Sequence, residues 1–185
     1  MILKKGVTKN QVAERLHGVF MDSTVDVAAC SLVWEGQKKC RLGETEMLKG
    51  ISPLLSPELL KALCEMGHGD EIILADANFP SVTAGRPVIR ADGIGAAELL
   101  KAILPLFPLD TYEEDRFILM EVVPGDPEPA IWEEYAEILK ELEPDTEIKF
   151  LERFAYYERA KQAYCIVATG ERAPYGNIIL KKGVI

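Results

Sequence analysis

The spacing of apolar positions changes from one segment of the chain to the next, and each change predicts an element. From Ser56 the stretch SPELLKALCEMG sets Leu59, Leu60, Leu63 and Met66 on one helical stripe. Ser56 is the N-cap, Pro57 takes the first helical position, Glu58 faces the positive end of the dipole and Gly67 is the stop. EIILAD (71–76) and PVIRAD (87–92) are short apolar runs rich in β-branched residues and predict strands. AAELLKAILPLF (96–107) predicts a helix that Pro105 kinks or ends. RFILMEVV (116–123) predicts a third strand, followed by the turn-rich PGDPEP and an amphipathic helix, AIWEEYAEILKELE, stopped by Pro144. The remainder reads as an extended piece EIKFL, a helix RFAYYERAKQA (153–163), a strand YCIVAT (164–169), the loop GERAPYG and a last strand, NIILKK. Alternation of this kind predicts an α/β single domain, a central β-sheet flanked by helices.

The first 46 residues carry weak periodicity apart from a helix-like NQVAERLHGVF. They are read as an N-terminal extension, residues 1–46, ahead of a domain spanning 47–185. The hexapeptide ILKKGV occurs at 2–7 and again at 179–184 without any longer period, so the chain is no solenoid. A length of 185 residues suits one domain with a substantial core. The net charge of −9 argues against a partner held through its phosphates, so nucleic acid is not expected. Cysteines stand at 30, 40, 64 and 165 with no C-x-x-C pair, which suggests neither a disulfide framework nor a zinc site and points to a reducing cytoplasm. The N-terminus lacks an apolar signal core, and the longest apolar run, 25–34, contains Asp26 and is too short for a bilayer, so no membrane partner is expected.

His68 is one of two histidines, and it lies between Gly67 and Gly69, directly after a helix stop and before a strand. The glycines leave the imidazole uncovered, where it can exchange a proton near neutral pH; they equally suit a plain helix cap and turn. Asp76 ends a strand, the position at which α/β sheets form ligand crevices, and could meet a substrate hydroxyl or orient His68; it also suits an Asx turn opening the loop ANFP. ADGIGAAEL (91–99) imitates a dinucleotide fingerprint, but Glu98 occupies the third small position, and no Walker-type loop is present. His17 lies far away in the extension, so no metal cluster is expected. Cys64 is expected among the core positions of its helix, and Cys165 begins an apolar strand, so neither reads as a nucleophile. Arg153, Tyr156, Tyr157, Tyr175 and Asn177 combine flat surfaces with many hydrogen-bonding groups, a set that suits an uncharged polyol. Neighbours on a helix point apart, so only one of Tyr156 and Tyr157 can face a given site.

Taken together, EMGHGDEI, ADANFP, VIRADG, RFAYYERA and YGN, in this order and spacing across 47–185, resemble the L-fucose mutarotase and D-ribose pyranase family. The resemblance implies an isomerase that opens and recloses a sugar hemiacetal without metal or cofactor, with His68 as proton donor. Asp76, Arg153, Tyr175, Gly176 and Asn177 would then hold the sugar, and Tyr157, Tyr175 or a water would serve as base. Ribose pyranases of the family carry histidine at the arginine position and Y-A-N in the loop, so Arg153 and Gly176 imply L-fucose as the monosaccharide, with D-ribose as a second substrate. A non-catalytic sugar-binding or sensing protein of the same fold is the alternative. The family also implies a homo-oligomer, ring-shaped decamers in bacteria and smaller assemblies in animals, with sites near subunit contacts. Its members start at the residue matching Met47, so the 46 preceding residues read as an over-extended start or the remnant of a duplicated copy, rather than an added edge strand.

Overall fold

Each predicted run becomes an element in the computed structural model, which describes residues 48–185. The NQVAERLHGVF helix and His17 lie outside the described residues. The elements are α1 (Pro57–Glu65), β1 (Glu71–Ala75), β2 (Val88–Ala91), α2 (Ala96–Ile103), β3 (Phe117–Met120), α3 (Ile131–Leu142), β4 (Lys149–Leu151), α4 (Arg153–Ala160), β5 (Cys165–Thr169) and β6 (Ile178–Lys181). Ser56 Oγ accepts from the Leu59 N–H at 3.1 Å, as the capping pattern requires. Pro105 ends α2 in a 3-10 turn, Leu104–Leu106, because a ring without an N–H cannot continue the α ladder. α4 stops at Ala160, three residues short of the predicted end. There the Gln162 and Ala163 N–H groups turn back to the Arg159 and Ala160 carbonyls, which frees Tyr164 to bond Glu71 O and begin β5.

The six strands form one sheet in the order β2-β5-β1-β6-β3-β4. β6 runs antiparallel to β1 and β3, and the other neighbouring pairs are parallel. Side chains alternate across the sheet. Ile72, Leu74, Phe117, Leu119, Val167 and Leu180 enter one core with α1, α2 and α3. Ile73, Ile118, Met120, Ile166 and Ile179 enter the other, closed by α4 and Phe79. Burial on both faces explains why the central strands read as continuous apolar runs, and each large aliphatic so buried contributes ~1.5–3 kcal/mol. Cys64 departs from expectation: Leu59, Ala62, Leu63 and Met66 form the buried stripe of α1, and Cys64, one step further around the helix, is exposed.

The reversed strand positions the site. Because β6 runs against its neighbours, its first residues lie beside the last residues of β1 and β3. YGN, which leads into β6, therefore meets ADAN, which follows β1.

Candidate active site

A cavity of 230 Å³ opens at this edge, bounded by Asp76, Phe79, Met120, Asp126, Arg153, Tyr157, Tyr175 and Asn177 among others. At its floor Asp76 and Asn177 lock each other. The Asp76 N–H donates to Asn177 Oδ1 at 2.8 Å, and Asn177 Nδ2 donates to Asp76 Oδ2 at 2.8 Å. Asp76 Oδ1 also accepts from the Asn78 N–H at 2.8 Å, so the expected Asx turn forms on a side chain that also lines the cavity. Asp76 is 4% exposed. Burial pushes its carboxyl above the usual carboxylate range, against the hydrogen bonds from Asn78 and Asn177 that favour the anion.

Arg153 opens α4, whose N-terminus is capped by Glu152, a carboxylate accepting from the Phe154 and Ala155 N–H groups. Its guanidinium lies 4.8 Å from the Phe154 ring centroid. Its Nε is buried without a hydrogen-bond partner among the described residues. One turn later Tyr157 lines the same cavity, while Tyr156 turns into the core and is fully buried edge-on against Phe79. Arg159, a turn and a half beyond Arg153, ties α4 to the sheet through both carboxylate oxygens of Glu71, with Nε at 3.0 Å from each.

Tyr175 has φ 62°, a left-handed conformation that no other non-glycine adopts among the described residues. α3 holds the strained loop from behind. Trp132 Nε1 donates to the Tyr175 carbonyl at 3.0 Å, and Tyr135 Oη donates to the Gly176 carbonyl at 2.9 Å. The Tyr175 hydroxyl donates to Asp126 Oδ2 at 2.5 Å. At Gly176 a Cβ would lie 2.9 Å from Glu171 Cγ and 3.0 Å from the Ala173 carbonyl oxygen, so any larger residue there requires these neighbours to shift. Sequence reasoning missed Asp126, Phe79 and Met120. Met120 ends β3 in the structure but lay inside the strand predicted over 116–123, and Asp126 was hidden inside PGDPEP, which reads as a turn and nothing more.

His68 lies elsewhere. It precedes β1, and the Gly69 N–H donates to the Lys182 carbonyl, at the far end of β6 from Asn177. The five residue steps from Asn177 to Lys182 span ~17 Å at ~3.4 Å each. Asp76 therefore does not orient His68 within the chain, contrary to one of its expected roles. Asp110 does: its Oδ2 is 3.3 Å from His68 Nε2. Asp110 is 2% exposed, and its other oxygen accepts from the Tyr112 N–H at 2.9 Å. That backbone bond, with the His68 bond and charge behind it, outweighs burial and holds the Asp110 carboxyl below its ordinary value. The imidazole is half exposed, as its flanking glycines foretold, and the Tyr112 ring lies against it at 5.6 Å. The chain thus carries the pocket at one end of the sheet and an open His68–Asp110 pair at the other.

Sequence comparison matches residues 49–185 to the RbsD / FucU transport protein family. A fucose mutarotase of Danio rerio is 58% identical over 146 residues, 75% of this chain and 95% of the relative. A crystal structure of a fucose mutarotase from Streptococcus pneumoniae, in complex with L-fucose, superimposes with a TM-score of 0.72 at 51% identity, covering 75% of this chain and 99% of that one. Bacillus subtilis RbsD, complexed with D-ribose, is more distant, with a TM-score of 0.57 and 25% identity over 71% of this chain and 95% of that one. On the extent of these matches, the chain belongs to the RbsD / FucU family.

Proposed function

We propose that the protein interconverts the α and β anomers of L-fucose, with the ring forms of D-ribose as a second substrate. The observation that carries this is the convergence of Asp76, Asn177, Arg153, Tyr157 and Tyr175 on one cavity, in a chain 51% identical to a mutarotase whose structure holds L-fucose. The Asp76 carboxylate accepts a sugar hydroxyl, and Arg153 and Asn177 donate to others. Phe79 and Met120 give one wall an apolar surface that suits the methyl group of a 6-deoxy sugar. Mutarotation requires a proton delivered to the ring oxygen and another removed from the anomeric hydroxyl; positioned acid and base groups supply about 10²- to 10⁴-fold. Since ring opening already proceeds in water, that gain suffices.

His68 is the acid in this reading, held by Asp110 in a fixed orientation. Because His68 and the pocket of one chain lie at opposite ends of the sheet, the acid that reaches a given pocket belongs to a neighbouring copy, and the protein works as a homo-oligomer. We also propose that it acts in the cytoplasm, and that residues 47–185 are the working domain, with 1–46 an appendage to it.

Saturation transfer between the anomeric protons of L-fucose, with D-ribose in parallel, tests the reading. The wild-type chain accelerates fucose exchange, and both His68→Asn and Arg153→Ala abolish the gain. Mixing and reassembling those two variants restores part of it, since some pockets then receive an intact Arg153 and an intact His68. Binding without faster exchange in the wild type would leave a sugar-binding protein; failure of the mixture to recover would overturn the shared site.

A further inference from the structure

We propose that Thr169 and Glu171, neither of which lines the cavity, are positioning residues that hold Asp76 and the Tyr175–Asn177 loop in one sugar-binding arrangement. The inference deepens the mutarotase reading above and rests on it. Thr169 ends β5 and Glu171 follows it, beside the end of β1 where Asp76 begins its loop. The buried Thr169 hydroxyl donates to the Ala75 carbonyl at 2.8 Å and accepts from the Glu171 N–H at 3.2 Å. The Glu171 carbonyl in turn accepts from the Ala77 N–H at 2.8 Å. Asp76 is therefore gripped through the residue on each side of it.

The Glu171 carboxylate carries the grip to the other half of the site. Its Oε1 accepts from the N–H groups of Arg172 and Ala173, at 2.8 and 2.9 Å, and so folds the loop back on itself. The Ala173 carbonyl then accepts from the Gly176 N–H at 3.1 Å, while the Glu171 stem supports Gly176 from beneath. Asn177 follows and bonds Asp76 twice, which closes a circuit from Asp76 through Thr169, Glu171 and the loop back to Asp76. Gly170 lets the two halves join: its N–H donates to the Ile94 carbonyl at 2.8 Å, and a Cβ there would strike the Asp92 carbonyl oxygen. Without the Glu171 carboxylate the weak point is Tyr175, which already holds a left-handed backbone conformation. Affinity for the sugar then falls by the fraction of chains whose loop stays in place, while the chemistry of a chain that has bound sugar is unaltered.

The test follows saturation transfer over a range of L-fucose concentrations in the full chain and in Glu171→Ala, Glu171→Gln, Thr169→Val and Thr169→Ser. Backbone hydrogen exchange across residues 171–177 is measured in each without sugar. Glu171→Ala should raise KM on the order of tenfold with kcat within about twofold, and should speed hydrogen exchange across the loop. Glutamine keeps an acceptor oxygen for both N–H groups and should restore most of the affinity. Thr169→Val should repeat the rise in KM and Thr169→Ser should not, a pair that carries the test if Glu171→Ala does not fold. A residue serving stability alone would lower the fraction of active enzyme and leave the KM of the folded chain as it was. An unchanged KM in the alanine and valine variants, or a glutamine variant as impaired as alanine, would therefore overturn the role. If the wild type does not accelerate fucose exchange, the mutarotase reading falls and the role in sugar binding with it. Hydrogen exchange separates the two failures, because a loop loosened in Glu171→Ala leaves the brace standing, whereas an unchanged loop removes the brace itself.

Discussion

Replacing Asn177 with alanine tests the foundation of the pocket. The side chain is 3% exposed and makes two bonds to Asp76, each 2.8 Å long, accepting one from its N–H and donating one to its carboxylate. Alanine leaves a buried N–H without its acceptor, a cost of about 1–3 kcal/mol, and removes a donor from a buried carboxylate, worth about 1.5–3 kcal/mol. Water from the adjoining cavity offsets part of this, so a net loss of about 2–4 kcal/mol is expected, a large share of the ~5–15 kcal/mol of a typical domain. With a urea dependence of about 2 kcal/mol/M, the unfolding midpoint falls by about 1–2 M. The loss also depends on pH. Burial holds the folded-state pKa of Asp76 above its unfolded value of 3.8, so its contribution is fully favourable below that value and declines as pH rises through the folded pKa. Asn177 is one of the groups opposing that rise, and without it the folded pKa climbs further. The destabilisation therefore grows as pH rises from below 3.8 through the folded pKa. Asn78→Ala is the control: Asp76 uses only the backbone of that exposed residue, and a change within about 0.5 kcal/mol is expected. An Asn177→Ala midpoint equal to the control, or a loss independent of pH, would refute the reasoning.

Three further substitutions follow from the same geometry. Tyr135 and Tyr156 are both fully buried, but Tyr135 Oη donates to the Gly176 carbonyl and Tyr156 Oη has no partner among the described residues. Tyr135→Phe is expected to cost about 1 kcal/mol, and Tyr156→Phe to be neutral or stabilising by up to about 1 kcal/mol, both read from denaturant midpoints. At Gly176 a methyl group meets the Ala173 carbonyl and a Glu171 side chain that is pinned by accepting from the Arg172 and Ala173 N–H groups. Gly176→Ala therefore moves the Tyr175 loop, and the ratio of fucose to ribose exchange rates measured in parallel is expected to fall.

How far the sequence disclosed this molecule depended on the range of the interaction involved. Helix caps and strand runs are local, so Ser56, Pro57 and the apolar runs located their elements to within a few residues, and α4 ran short only because its last turn is redirected to feed β5. Asp76, Arg153, Tyr157, Tyr175 and Asn177 were legible because their types suit a polyol and their motifs resemble a known family. The partner of His68 was not legible. Asp110 stands 42 residues later in the chain, in a connecting segment for which the sequence pattern predicts no element, and it meets His68 because both adjoin the end of β6. Asp126 was invisible for the same reason, joined to Tyr175 across 49 residues by loop geometry alone.

The reversal of β6 accounts for both the strength and the incompleteness of the site. In an all-parallel sheet the pocket at the carboxyl edge would draw on residues that follow strands; here β6 adds residues that precede one, so Asn177 can lock Asp76 from the adjacent position in the sheet. The same reversal carries Lys182 to the opposite edge. There its carbonyl accepts from Gly69, and its ammonium donates to the Leu63 and Met66 carbonyls at the end of α1. Those bonds fix the loop that presents His68. A rigid strand thus holds the pocket residues and His68 about 17 Å apart within the chain, a distance that side-chain motion cannot close. The function proposed above therefore needs one copy's His68 set against another copy's Asp76, and under that proposal assembly is a condition of activity and not only of stability.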